Sequence, residues 1–224
     1  MLKKIYYIVM RIYTKIINPH CIIESNVLFH GENNMGKNTR ICENSSFFNS
    51  QIGDFSYIGP NGKIYNTHIG KFTSIGPNFI IIEGRHPAKT FVSTHPAFFS
   101  LKKQCGVTFV EEQKFVEIKK VEGFSAIVGN DVWIGESVKV ADGVKIGDGA
   151  IVGASSLVVK DIEPYSVNVG IPTKIISYRF DQKQIEWLLK FKWWEKDTVW
   201  IQKEADNFDD IEKLYRKYKE QENV

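Results

Sequence analysis

Aliphatic residues followed by glycine recur along this chain: Ile52-Gly53, Ile58-Gly59, Ile69-Gly70 and Ile75-Gly76. They return as Val128-Gly129, Ile134-Gly135, Ile146-Gly147 and Val152-Gly153. In the second block Val128, Ile134, Val140, Ile146, Val152 and Val158 stand six residues apart. A helix needs apolar recurrence near 3.6 and a half-exposed strand near 2, so a sustained period of six fits neither alone. Six residues can form one flat side of a coil, a short strand followed by a turn. The aliphatic then points into a narrow interior, and glycine relieves the corner. Three sides make about eighteen residues per turn, and stacked turns pair as parallel strands. The pattern predicts an all-β solenoid of hexapeptide repeats. A Gly/Val-rich sandwich would have to produce six in-phase aliphatics by coincidence. The step of five from Ile64 to Ile69 predicts an irregular corner near 65–69.

Residues 83–125 lack the period and carry Pro87, Pro96, Phe91, Phe98, Phe99 and a charged stretch from Glu111 to Lys120. A long aromatic insertion of this kind is expected to be a packed, functional excursion. Residues 1–20 read as an amphipathic helix, with Lys4, Arg11 and Lys15 on one face and Ile5, Ile8, Ile12 and Ile16 opposite. The solenoid is expected over 21–180, with the inserted loop at about 83–125, and a helical extension over 181–224. In that extension Asp181 opens one helix and Asp209 to Lys219 reads as another. Trp187, Trp193, Trp194 and Trp200 are expected to cover the open end of the solenoid or meet another subunit.

Charge and composition narrow the function. The net charge of the 224 residues is +3, with four basic residues and no acid in the first eighteen positions. Residues 19–180 carry only +1, so no basic groove for nucleic acid is expected. Cys21, Cys42 and Cys105 form no zinc or disulfide pattern, and no metal site is expected. The apolar N-terminus is interrupted by charge and has no signal-peptide cleavage site, which points to a cytoplasmic protein.

Three phrases carry a family resemblance: Asn130 to Gly135, Gly143 to Ala154, and Gly170 to Lys174. They resemble the left-handed β-helix acyltransferases, in particular the xenobiotic and chloramphenicol acetyltransferases and related saccharide O-acetyltransferases. The loop Glu83-Gly-Arg-His86 with Ser93-Thr-His-Pro96, and Leu188 to Trp194, narrow the likeness to that branch. It covers roughly residues 50–200. The resemblance implies a left-handed coil, a homotrimer with active sites between neighbouring solenoids, and acetyl transfer from acetyl-CoA to an acceptor hydroxyl. It also implies that His86 is the general base. Chemistry agrees: a thioester is already activated, and the harder task is removing a proton from an alcohol, for which a neutral imidazole is suited. No Gly-x-Ser-x-Gly elbow is present to suggest an acyl-enzyme.

By the same resemblance, coenzyme A lies along the regular coils near Trp133, Gly135, Glu136, Gly153, Ala154, Val159, Lys160 and Lys174. Lys174 has the clearest physical role, as an ammonium near the phosphates. Ser177 stands where several relatives carry a second basic residue. Glu83, His95 and Phe98 are candidates for the acceptor side, with Glu83 also a candidate to orient the His86 imidazole. His20 and His30 fall outside the recognisable repeat and read as surface or capping residues; His68 reads as a corner residue. The first acceptor expected is a surface polysaccharide or its lipid-linked precursor, and the basic first eighteen residues suit a membrane surface as well as a cap on the solenoid. The alternatives are an antibiotic O-acetyltransferase, a nucleotide-amino-sugar N-acetyltransferase and a non-catalytic β-helix binding protein.

Overall fold

A computed structural model describes residues 2–219; the outer ends of the two terminal segments, Met1 and 220–224, lie outside the described residues. From Ile22 onward the chain visits three flat sheets in turn, of eight, six and five strands. Neighbouring coils pair in parallel, as in Ser74↔Trp133 and Ile134↔Val152. The last strand, Lys174–Tyr178, instead folds back antiparallel on Ser166–Val169. Every in-phase aliphatic of the second block is buried: Val128, Ile134, Val140, Ile146, Val152 and Val158 are all at most 1% exposed. The β-solenoid expected from the period of six is therefore the architecture observed.

The coil begins earlier than the Ile-Gly signature. Phe29, Met35, Ile41 and Phe47 occupy the same interior positions in the first coils. His30 consequently lies on a solenoid strand, Leu28–His30, and not outside the repeat as its surroundings suggested. The step of five has a simple origin. Asn66 alone turns the corner between strands Lys63–Tyr65 and Thr67–Ile69, in the left-handed conformation, and Asn49 does the same one coil earlier. Asparagine tolerates that conformation better than most side chains. His68 therefore sits on a flat side and not at a corner, half-buried against Phe124 and bonded through Nδ1 to Gln51 at 3.2 Å. Its burial holds the imidazole pKa below the ordinary value, against a weaker opposing pull from Glu122.

The glycines play a different part from the one the sequence suggested. At the corners positive φ falls to Asn, Phe, Asp, Ser and Tyr residues and to Gly31, Gly143 and Gly149, none of which follows an interior aliphatic. At Gly70 a Cβ would lie 2.6 Å from the carbonyl carbon and oxygen of Gly129, one coil along, and at Gly135 it would lie 2.6 Å from the Ala154 nitrogen. Glycine follows the interior aliphatic because the stacked backbones meet there, not because φ is unusual.

Helix α1 (Leu2–Ile17) packs across the first coils. Three more helices follow the solenoid: α2 (Gln182–Phe191), α3 (Thr198–Glu204) and α4 (Ile211–Lys219). Asp181 accepts from the Gln184 backbone while the Gln184 side chain accepts from Asp181 N–H, a closed capping box at the start of α2. The tryptophans lie along a flank of the solenoid. Trp193 packs on Phe72, itself stacked on Phe55, and Trp187 and Trp194 join Tyr165 of the last coil in one cluster. The left-handed corners at Phe55, Phe72 and Tyr165 turn these aromatics outward, which makes a flank the apolar surface available to the extension.

Glu204, 1% exposed, accepts from Lys217 at 2.7 and 2.8 Å and from Asn207 at 2.8 Å, tying α3 to α4. The Lys217 hydrogen bond, outweighing burial, holds this carboxyl below its ordinary 4.5. A depressed carboxylate contributes stability above its unfolded value and loses it as pH falls through the folded one. Tryptophan fluorescence should accordingly report loosening of the extension only as acid is added below about pH 4.5, and the Glu204→Gln form should lose that acid limb.

Candidate active site

The long loop leaves the solenoid after strand Ile80–Ile82, at the corner which Asn66 turns one coil below. Glu83 fastens its root. The carboxylate accepts from Asn66 Nδ2 at 2.6 Å and from Ser125 Oγ, so the loop's two ends and the coil beneath share one acceptor. This engagement leaves the orientation of His86 to another group.

The loop has its own small core. Phe99, fully buried, meets Phe91 and Phe115 edge-on with ring centroids 6.2 and 5.6 Å away. Glu117 is the polar counterpart. It accepts from Ser100 Oγ at 2.6 Å, Gln104 Nε2 at 2.8 Å and Gln113 Nε2 at 3.1 Å, and pairs with Lys102 at 3.5 Å. Burial pushes this carboxyl up, but the Ser100, Gln113 and Lys102 contacts outweigh it and hold the group below the ordinary value. Arg85 N–H donates to the Glu117 carbonyl at 2.7 Å, which carries the order of this hub to the residue before His86.

His86 itself is exposed, its ring edge-on to Phe99 at 5.7 Å. Nδ1 lies 2.6 Å from the carbonyl oxygen of Thr94. A carbonyl only accepts, so in the neutral ring this partner assigns the proton to Nδ1 and the lone pair to Nε2. His95 has the reverse assignment. Its Nδ1 accepts from Ala97 N–H at 3.2 Å, capping the short turn Pro96–Phe98, so its neutral ring carries the proton on Nε2. Of the two loop histidines, His86 presents a basic nitrogen outward and His95 a donor. Phe98 packs on Phe109 and is 46% exposed.

An open groove of about 440 Å³ runs up the solenoid where strand Ile80–Ile82 begins. Asn78, Ser137 and Ser155 form its corner, Ile80, Lys139 and Leu157 its flat side, and Ile171 an overhang. Strand Ile80–Ile82 thus joins the groove at one end to the root of the His86 loop at the other. Glu136 and Ala154 precede the groove's corner serines, and Gly135 beneath Ala154 lets those coils close up. Gly153 lies under the Val169 side chain. Val159 and Lys160 follow the groove's Leu157 and are exposed, as is Lys174. Lys174 begins just past Thr173, whose N–H bonds to the Leu157 carbonyl at 3.0 Å. Trp133 stands apart on the eight-stranded sheet, 58% exposed. Sequence reasoning singled out none of the residues that line the groove, nor Glu117 in the loop or the backbone of Thr94. Asn78, Ser137 and Ser155 carried a signal, each standing two residues after a coil glycine.

Residues 125–160 match the family described as bacterial transferase hexapeptide (six repeats). The Asn130–Gly135 and Gly143–Ala154 phrases fall inside that segment. Over 61 residues the chain is 46% identical to a probable macrolide acetyltransferase of Lysinibacillus sphaericus, which is 27% of this chain and 31% of that protein. Over 66 residues it is 41% identical to a chloramphenicol acetyltransferase of Escherichia coli, 28% of this chain and again 31% of the relative. The matches thus span about a third of these relatives' length. Among solved structures, a mutant of AntD, an N-acyltransferase from Bacillus cereus in complex with dTDP and coenzyme A, superposes with a TM-score of 0.57. That match has 22% identity and covers 81% of this chain and 95% of the other. At that identity the likeness is one of fold.

Proposed function

We propose that this protein is an acetyl-CoA-dependent O-acetyltransferase that acts on a saccharide hydroxyl, with His86 as general base. The observation that carries the reading is the Nδ1 contact of His86 with the Thr94 carbonyl at 2.6 Å. It leaves Nε2 as the proton acceptor on an exposed loop rooted beside an open groove. In the reaction the acceptor oxygen attacks the thioester carbonyl carbon as its proton passes to Nε2. The carbon–sulfur bond then breaks, and the imidazolium returns the proton to the departing thiolate, giving an acetyl ester and free coenzyme A.

Coenzyme A fits the groove as an extended chain along the coil corners, near Glu136, Ala154 and the neighbouring serines, with Lys174 toward its phosphates. The active unit in this reading is a homotrimer. Apolar side chains exposed on the loop, Phe109 at 70% and Val116 at 69%, give it a surface to set against a neighbouring subunit. The location is the cytoplasm, at the inner face of the membrane where lipid-linked saccharide is built. Transfer to the amine of a nucleotide-linked amino sugar is the second reading, favoured by the AntD fold match over four-fifths of the chain. An antibiotic hydroxyl is the third, favoured by the local identity to the two drug acetyltransferases.

Titration with acetyl-CoA tests the cofactor half of the proposal. Coenzyme A should raise the melting temperature of the protein, as any ligand selective for the folded state does. Lys174→Ala should raise KM for acetyl-CoA by roughly tenfold with little change in kcat, because a phosphate contact binds ground and transition states alike. Equal losses with dephospho-coenzyme A would exclude a contact to the 3′-phosphate.

A further inference from the structure

Helix α1 is amphipathic, but the face it packs with is not its isoleucine face. Tyr7 stacks on Phe48 with centroids 6.1 Å apart and planes 5° from parallel, Met10 packs on the solenoid core, and Thr14 is 5% exposed. At 3.6 residues per turn these three lie on one side of the helix. Ile5, Val9, Ile12 and Ile16 fall on the opposite side, 52, 55, 51 and 70% exposed. They point away from the protein, with Ile8 and Ile17 also more than half exposed. Capping the solenoid and offering an apolar face are thus separate duties of one helix.

What flanks the apolar stripe indicates what covers it. Lys4, Arg11 and Lys15 run along one edge, and Tyr6 and Tyr13 along the other. No acid occurs in the first eighteen residues. The helix is 16 residues long, about 24 Å at 1.5 Å per residue, against roughly 30 Å of hydrocarbon in a bilayer. Among the described residues no helix is long and apolar enough to cross a membrane. An exposed aliphatic stripe, bordered by cations and by tyrosines, has the form of a helix lying in a lipid interface. A protein partner would need an acidic rim to match it, and α1 offers a second copy of itself no acid to pair with.

We propose that α1 docks this protein on an anionic bilayer surface, its Ile5/Val9/Ile12/Ile16 face in the acyl boundary and Lys4 and Lys15 among the headgroups. Because Tyr7, Met10 and Thr14 hold the other face to the solenoid, the whole catalytic body is carried to the membrane. The docking deepens the location proposed above and is independent of the acetyl transfer.

Co-sedimentation of the full chain with vesicles is the test. Binding should be strong to phosphatidylcholine vesicles containing about 30% phosphatidylglycerol and at least about tenfold weaker to phosphatidylcholine alone. Salt near 0.5 M, with a Debye length of about 4 Å, should weaken the anionic binding as well. Ile12→Glu/Ile16→Glu should reduce it at least about tenfold, and Lys4→Gln/Lys15→Gln should remove the preference for anionic lipid. Both double variants should keep the wild-type melting temperature, because the altered side chains face solvent. Failure of the wild type to sediment with anionic vesicles would overturn the proposal, as would undiminished binding by Ile12→Glu/Ile16→Glu. A lower mass of that variant in lipid-free solution would identify the face as a contact between copies and overturn it equally. Acetyl transfer to a water-soluble acceptor should not differ between wild type and variant, so the chemistry and the docking fail separately.

Discussion

His86→Ala should lower kcat for acetyl transfer by about 10²–10⁴-fold while leaving acetyl-CoA affinity nearly unchanged. The magnitude is that of a positioned general base, and the selectivity follows from when the contact is made. In the proposed mechanism Nε2 takes the acceptor's proton only as the carbon–oxygen bond forms, so removing it should cost the transition state and not the thioester complex. The Thr94 carbonyl, 2.6 Å from Nδ1, adds a second effect. It fixes the ring so that the lone pair is aimed outward before substrate arrives, and it stabilises the imidazolium once formed. Asparagine at this position keeps a hydrogen-bonding group but cannot take a proton, so His86→Asn should be no better than alanine. His95→Ala should keep kcat near wild type, because the His95 Nδ1 is occupied in capping Pro96–Phe98. Activity of His86→Ala within fivefold of wild type, with chemistry rate-limiting, would contradict the assignment; fivefold is about 1 kcal/mol, below what a general base supplies.

Phe99→Ala should uncouple the loop from the solenoid. Phe99 is fully buried, and its ring is the surface on which Phe91, Phe115 and the edge of His86 converge. Removing a buried phenylalanine costs about 3–5 kcal/mol. The loss falls almost entirely on residues 83–125, because their packing is separate from the column of isoleucines and valines inside the coils. The expected result is a protein whose solenoid melts as before, whose loop becomes sensitive to limited proteolysis, and whose kcat falls tenfold or more as His86 loses its seat. Phe99→Leu, which keeps most of the volume, should recover much of the rate. A loop that stays protease-resistant in Phe99→Ala would show that the Glu117 hub and the Glu83 staple hold it without the aromatic core.

Much of the fold was legible because one interior position repeats with little variation. Val128 to Val158 fill equivalent places in the narrow interior of the coils, and the spacing follows from the coil's circumference. The first coils obey the same geometry but are filled by Phe29, Met35 and Phe47, of which only Met35 is followed by a glycine, so the signature faded while the structure did not. His68 was misread for a related reason. A step of five looked like a broken corner, whereas a single left-handed asparagine removes one residue and leaves the strand intact. The role of the glycines was also hidden, since close approach between coils and tolerance of positive φ leave the same residue in the sequence. In the candidate site, the sequence could single out a side chain suited to the proposed chemistry, as at His86. It was illegible where the backbone acts: any residue at 94 supplies a carbonyl, so the orienting partner of His86 could not be read, and Glu83 was the natural guess. Glu117 lay concealed in a charged stretch because its partners, Ser100, Gln104 and Gln113, come together only when the loop folds.

In the proposed reaction this chain moves an acetyl group from acetyl-CoA to a saccharide hydroxyl. The most direct measurement is thiol release from acetyl-CoA across a panel of saccharides, nucleotide-linked amino sugars and antibiotics, followed by mass spectrometry of the acetylated product before and after mild alkali. The expected result is thiol release with a saccharide acceptor, one acetyl added per thiol released, and loss of that acetyl in alkali as for an ester. An alkali-stable amide on an amino sugar, or no acceptor-dependent thiol release from a protein that binds coenzyme A, would contradict it.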